Sequence, residues 1–130
     1  MAYIRANQGG GGQVTPDLLW SNSNPSANYG EGAISLNHDI SNYDYIKVTC
    51  YQDTRLFKVF EFMITVPSDL SATPIPMLVA CMLADTTYYR IFNLMYGTST
   101  QAYINNCYIL GGSATPSALI PWKIEGYKNN

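Results

Sequence analysis

Several stretches of the chain alternate apolar and polar side chains in the way that β-strands do, and this pattern constrains the fold most. The clearest stretch is residues 44–52, DYIKVTCYQ, in which Ile46, Val48 and Cys50 alternate with more polar neighbours. A period of two places the two sets of side chains on opposite faces of a strand. Residues 57–66, FKVFEFMITV, repeat the pattern. Both segments are therefore predicted to be half-buried strands.

Further strands are predicted in the rest of the chain, separated by turn-forming residues. They are residues 17–20, 32–36, 77–84, 87–96, 102–110 and 119–127. Residues 77–84, MLVACMLA, could also form a buried helical segment, because periodicity does not classify a short apolar run. Pro74 and Pro76 before the run favour a strand. About eight short strands at regular spacing predict an all-β, antiparallel, jelly-roll-like β-sandwich.

The composition is that of one folded domain with few surface charges. Of the 130 residues, 47% are hydrophobic and 12% are charged, and the formal net charge is −2. A chain of this length can bury one substantial core. The small net charge gives no electrostatic reason for binding nucleic acid or an anionic membrane. There is no apolar run of membrane-spanning length and no signal-peptide layout, so we expect synthesis in the cytoplasm.

A glycine run near the start of the sequence predicts a flexible tether. A phosphate-binding loop would need a Lys and a Ser or Thr in register, followed by a helix, and Pro16 disfavours a helix at Thr15. We therefore divide the chain into an N-terminal arm, residues 1–16, and a β-sandwich head, residues 17–130. The predicted anchoring residues are Met1, Ala2, Tyr3, Ile4, Arg5, Ala6, Asn7 and Gln8, and the tether residues are Gly9, Gly10, Gly11 and Gly12.

The cysteines indicate no disulfide framework and no metal site. Cys50, Cys81 and Cys107 are odd in number, widely spaced and set in apolar runs, so buried free thiols are expected. Free thiols agree with synthesis in a reducing compartment. With His38 as the single histidine, we expect no metal and no cofactor.

The sequence carries no recognisable catalytic motif. His38 lies beside Asp39 and is interpreted as a surface turn residue, because nucleophilic catalysis needs partners that meet in space. Paired carboxylates for glycoside hydrolysis could come from several acidic residues, but nothing in the sequence brings two of them together. Those residues are Asp44, Asp53, Glu61 and Asp85. A non-enzymatic protein is therefore expected.

Tyrosine is the residue type that points to binding. The chain has 11 Tyr, many beside Asn, Ser and Thr. A Tyr ring offers an apolar face and a polar tip, which suits protein interfaces and stacking on sugar rings, although Tyr is also common in sheets. The tyrosines in or near predicted loops are the candidate glycan contacts. They are Tyr29, Tyr43, Tyr96 and Tyr103.

Three segments, together with the middle arginine stretch YYRIFNL at residues 88–94, resemble a small β-sandwich module of structural proteins of tailed bacteriophages, especially phages of gut bacteria. The matching residues at the start are Leu19, Trp20, Asn22, Asn24, Pro25, Ser26 and Tyr29. Those of the next segment are Ile40, Ser41, Tyr43, Asp44, Ile46 and Val48. Those of the last are Ile120, Pro121, Lys123, Ile124, Gly126 and Lys128, with Glu125 where the module more often has Tyr.

The resemblance implies a virion component, a small fibre or decoration subunit that other capsid or tail proteins hold, often as a trimer. The arm and tether then suggest an anchored N-terminus and a projecting head, on the capsid or at the tail. Three alternatives remain open. They are a tail-associated module that recognises a host surface glycan, a cellular carbohydrate-binding module and, last, a hydrolase.

Overall fold

The computed structural model describes residues 15–69 and 74–129. The predicted anchoring residues Met1–Gln8 and the tether Gly9–Gly12 lie outside the described residues. The strands are β1 (Asp17–Ser21), β2 (Gly32–Ser35), β3 (Tyr45–Asp53), β4 (Val59–Thr65), β5 (Ile75–Leu83), β6 (Thr86–Leu94), β7 (Gln101–Ile104), β8 (Tyr108–Ile109) and β9 (Ala118–Tyr127). A short 3-10 helix spans Ile40–Asn42.

The strands form two antiparallel sheets. Sheet A has the order β1-β9-β3-β4. Sheet B has the order β2-β7-β6-β5, and β8 pairs with β6 beside β7. The hairpins β3–β4 and β5–β6 each stay within one sheet, whereas β1 and β2 lie in different sheets. The predicted all-β, antiparallel sandwich is confirmed.

The core lies between the inward faces of the two sheets. In β3, the predicted inward residues Ile46, Val48 and Cys50 are fully buried, which confirms the alternation. Phe92 and Leu94 of β6 face them from sheet B within the same buried cluster. Sandwich cores are built in this way, from alternate residues of each strand.

The predicted strand 102–110 is wrong in one respect, because it is two strands. The ladder between β6 and β7 ends at Ile104, and β8 begins at Tyr108. Between them the carbonyl oxygen of Asn105 accepts a hydrogen bond from the Arg90 guanidinium, at 2.7 Å. The N–H of Asn105 still donates to the carbonyl oxygen of Ile91 in β6 at 2.9 Å, but its own carbonyl oxygen is directed at Arg90, and the ladder does not continue past this residue into β8.

Of residues 77–84, for which a helix was the alternative, all but Ala84 belong to β5, and Ala84 lies in the turn that follows. Met77 and Val79 are buried, while Leu78 and Ala80 are exposed. The nine residues of β5 pair with β6 from Ile75 to Leu83. A period of two in burial and a continuous ladder are both properties of a strand.

Candidate functional site

Arg90, which lies in the resembling stretch YYRIFNL but was assigned no role from the sequence, is fully buried and forms the centre of a hydrogen-bonded cluster. It projects inward from β6, and its guanidinium donates five hydrogen bonds to backbone carbonyl groups, at 2.7–3.2 Å. The acceptors are the carbonyl oxygens of Tyr29, Gly30, Asn105, Ala118 and Leu119. Burial lowers the pKa of Arg90. These carbonyl oxygens replace the water molecules that would hydrate an exposed guanidinium. Because they belong to loop residues and to the start of β9, the Arg90 side chain holds those segments in place.

Tyr29, one of the four candidate tyrosines, belongs to this cluster. Its half-buried ring packs edge-on against Trp20, with centroids 6.1 Å apart, and lies 5.5 Å from the guanidinium carbon of Arg90. Its N–H group donates to the carbonyl oxygen of Pro116 at 2.9 Å. Burial raises the pKa of Tyr29, and the positive charge of Arg90 opposes that rise. The contacts give Tyr29 a structural role in holding its loop.

Tyr43 is a core residue, so its prediction as a surface contact for glycans is wrong. Only 5% of the residue is exposed. Its hydroxyl donates to Oδ2 of Asp17 at 2.8 Å, and its ring lies over Gly126. Burial and, second, this hydrogen bond raise the pKa of Tyr43 to about 12. A ring enclosed in this way has no free face for a sugar.

Tyr96 and Tyr103 are brought together at the surface. Their ring centroids lie 5.0 Å apart with an interplanar angle of 38°. Tyr96 is exposed and follows β6, while Tyr103 is half-buried in β7. The Tyr103 hydroxyl donates to Oε2 of Glu31 at 2.8 Å, and this hydrogen bond is the main cause that raises the pKa of Tyr103.

Two amide side chains adjoin the tyrosine pair. Asn93 is the cross-strand neighbour of Tyr103, and its Nδ2 donates to the Tyr103 carbonyl oxygen at 3.3 Å and to Oδ1 of Asn105 at 3.0 Å. We call the group Glu31, Asn93, Tyr96, Tyr103 and Asn105 the tyrosine site. Aromatic faces bordered by a carboxylate and amides offer both apolar contact and planar hydrogen bonding to a polar ligand.

His38 lies on the surface in a turn, as predicted. Its neighbour Asp39 has a local structural role, because its carboxylate accepts hydrogen bonds from the N–H and hydroxyl of Ser41 and from the hydroxyl of Ser99. The bonds from Ser41 and Ser99 lower the pKa of Asp39. Asp39 therefore caps the short helix that begins at Ile40.

The acidic residues considered as paired carboxylates lie apart. Asp44 and Asp53 are at opposite ends of β3, and Glu61 is opposite Thr49 at its middle. Asp53 accepts hydrogen bonds from Arg55, which are the main cause that lowers the pKa of Asp53 to about 2. Asp85 is in the turn between β5 and β6 of the other sheet.

The thiols are free in the structure, and two of the three are buried. Burial raises the pKa of Cys50 to about 12 and that of Cys107 to about 11. Since the thiolate is the reactive form, these two thiols, which stay protonated, are poor nucleophiles. Cys81 is only partly buried, so the prediction of a buried thiol is wrong in degree for that residue.

The described residues contain neither a metal site nor a membrane-spanning helix. Within residues 15–69 and 74–129, no three His, Cys, Asp or Glu side chains form a group that could hold a metal ion. In the same part of the chain, no helix has the length and apolar character needed to cross a membrane. Comparisons with protein-family models, with curated proteins and with solved structures find no match.

Proposed function

We propose that the chain is a bacteriophage virion structural protein, a small fibre or decoration subunit on the surface of the particle. In this proposal residues 1–8 anchor it to other virion proteins, residues 9–12 are the tether and the β-sandwich projects, with the capsid as the favoured location. Three copies of the subunit form a homotrimer, as copies of the module that the sequence resembles often do. Attachment to the host surface is a secondary role.

The observation that carries this proposal is how the three resembling segments meet. They lie in β1 with the loop after it, in β3 with the residues before it, and in β9, and these three strands are neighbours in sheet A. The resembling stretch YYRIFNL lies in β6 of sheet B. Tyr43 of the second segment lies over Gly126 of the third and donates to Asp17 at the start of β1. Residues far apart in sequence thus form one packing unit, which supports reading the pattern as the signature of a particular sandwich module.

The first test is deletion of residues 1–12. We expect the shortened chain to fold, because β1 begins at Asp17, and to be absent from purified particles, because the anchor is lost. Circular dichroism and thermal unfolding measure folding, and mass spectrometry of particles measures incorporation. Electron cryomicroscopy of particles with and without the chain then locates it on the capsid or the tail.

The control is the full-length chain with Tyr96→Ala, which alters the exposed surface and leaves residues 1–12 intact. It should enter particles normally. Normal incorporation of a folded, shortened chain would contradict the anchoring role, and density at the tail tip would favour the tail-associated alternative.

The tyrosine site favours a second candidate function, recognition of a host surface glycan. Tyr96 and Tyr103 supply apolar rings for the C–H faces of a sugar, and Glu31 and Asn93 supply acceptors and donors for its hydroxyl groups. This function is compatible with a position on the capsid or on the tail.

The glycan prediction concerns affinity. Replacing Tyr96 or Tyr103 with alanine should weaken binding to a glycan about tenfold, because an aromatic contact contributes roughly 1.5 kcal/mol. An array of bacterial surface glycans identifies the ligand, and titration calorimetry measures each variant. Tyr45→Ala, on sheet A, is the matched control and should bind as the wild type does. Equal affinity for the Tyr96 and Tyr103 variants would exclude this site.

A further inference from the structure

We propose that the outward face of sheet B around β5 is the contact surface for a second copy of this chain. We call it the β5 face, and its residues are Leu78, Ala80, Met82, Thr87, Tyr89, Tyr108 and Leu110. Pairing of two identical faces is a two-fold contact, so the inference goes beyond the proposed homotrimer, whose contacts would run around a three-fold axis.

The β5 face exposes large apolar side chains in one place. Leu78 is 62% exposed, Met82 69% and Leu110 68%. Tyr89 and Tyr108 stack on each other beside them, with ring centroids 5.9 Å apart. Single exposed apolar side chains are normal on monomers, but a contiguous group marks an interaction surface.

The face is also uncharged, which selects the kind of partner. All nine residues of β5 are uncharged, and the one charged residue of β6, Arg90, points into the core. An uncharged apolar surface gains most by covering an equally uncharged one, because a charged partner would lose its hydration without being paired. The β5 face of a second copy has the required chemistry.

The outward face of sheet A has a different character. There Nζ of Lys47 lies 3.2 Å from a carboxylate oxygen of Glu61 and 3.7 Å from one of Glu125. Nζ of Lys123 lies 3.8 Å from the other carboxylate oxygen of Glu125. Met63 on the edge strand β4 is 57% exposed but has Glu61 two residues away on the same face. Charges on an edge strand oppose association, and β4 has this protection where β5 has none.

The strand β5 also lies at the edge of sheet B. Among the described strands, β5 pairs only with β6 and ends sheet B. Natural sheets protect long edge strands with charged residues, proline or a bulge. In β5 only Pro76, near one end, does so, which leaves a long apolar stretch from Met77 to Leu83.

The area and the shape both suit a pair of identical faces. With three largely exposed apolar side chains and a stacked tyrosine pair, the β5 face is comparable with the largest apolar patch of an ordinary monomer, roughly 300–600 Å². Two such faces bury on the order of 1,000 Å² together, which reaches the range of biological interfaces. A shallow depression of about 330 Å³, lined by Leu78, Ala80, Thr87, Tyr89 and Leu110, is large enough to receive a projecting Leu or Met side chain of the other copy.

The test compares two variants of the purified full-length chain. Leu78→Lys with Met82→Lys places like charges at the contact, whereas Met63→Lys makes a similar change on β4. Light scattering after size exclusion, at about 100 µM, measures the mass. We expect the wild type and Met63→Lys to have at least twice the 14.4 kDa of one chain, and the double variant to have the mass of one chain. Its dissociation constant should rise at least about 100-fold.

Two results would overturn the proposal. One is a wild-type chain that is monomeric at this concentration, including the case in which residues 1–12 cover the β5 face. The other is a double variant that keeps the wild-type mass while its circular dichroism remains native. The experiment uses no particles, so its failure would leave the proposed virion location untouched, and the deletion of residues 1–12 tests that location separately.

Discussion

Replacing Arg90 with methionine should lower the free energy of unfolding by about 4 kcal/mol, one of the two largest effects expected in this protein. Methionine retains much of the apolar volume of the arginine side chain but donates no hydrogen bonds. The five carbonyl oxygens that the guanidinium serves would lose that partner. A buried acceptor left without a partner costs about 1–3 kcal/mol, and rearrangement of the exposed loops will recover part of that loss.

The backbone near Arg90 explains why the loss should be large. Leu119 is fully buried and has a φ of 45°, a left-handed conformation that a bulky residue rarely adopts. Its carbonyl oxygen accepts from Nε of Arg90 at 3.0 Å, and that of Ala118 accepts from Nη2 at 3.2 Å. A strained residue persists only when its surroundings hold it, so removing the guanidinium also releases the start of β9.

Chemical denaturation followed by tryptophan fluorescence measures the change in the free energy of unfolding. Arg55→Met is the matched control, because Arg55 is largely exposed and pairs with Asp53 at 2.6 Å. Exposed ion pairs contribute about 0–1 kcal/mol, so this control should unfold almost as the wild type does. If Arg90→Met were no more destabilising than Arg55→Met, the five hydrogen bonds of the Arg90 guanidinium would not stabilise the fold as proposed.

The strands could be predicted from the sequence because burial alternates along them. Ile46, Val48 and Cys50 needed no tertiary information, since a period of two implies one buried face. The gap between β7 and β8 could not be predicted in this way. The N–H of Asn105 still bonds to Ile91 of β6, but its carbonyl oxygen accepts from the side chain of Arg90, a contact that depends on tertiary packing.

The candidate site was predicted only in part, because contacts between distant strands decide which side chains meet. Tyr96 and Tyr103 were selected as loop or near-loop tyrosines, but that they touch depends on how the chain returns into β7. Tyr43 was selected by the same criterion and is buried, because Gly126 of β9 leaves room for its ring. Composition identifies a side chain suited to binding, whereas the register of distant strands decides whether its ring is free.

The second large effect is expected at Gly126. Changing Gly126 to alanine should lower the free energy of unfolding by about 3 kcal/mol, since overpacking a core typically costs 1–3 kcal/mol and here a hydrogen bond is at risk as well. A Cβ atom at this position would lie 2.6–2.8 Å from three atoms of the Tyr43 ring. Real Cβ atoms essentially never approach other atoms so closely, so the ring would have to move. Its hydroxyl would then lose the 2.8 Å bond to Asp17.

A double-mutant cycle separates this clash from other effects of alanine. In a Tyr43→Ala background the ring is absent, and adding Gly126→Ala should change the free energy of unfolding by less than about 0.5 kcal/mol. Gly32→Ala is the control for alanine in a strand, because a Cβ there meets nothing within 4 Å. It should be nearly neutral, since alanine also restricts the unfolded chain. Equal losses from Gly126→Ala with and without the Tyr43 ring would mean that the close approach of this ring to β9 is not the cause of the loss, and the packing unit inferred from the resembling segments would lose its central contact.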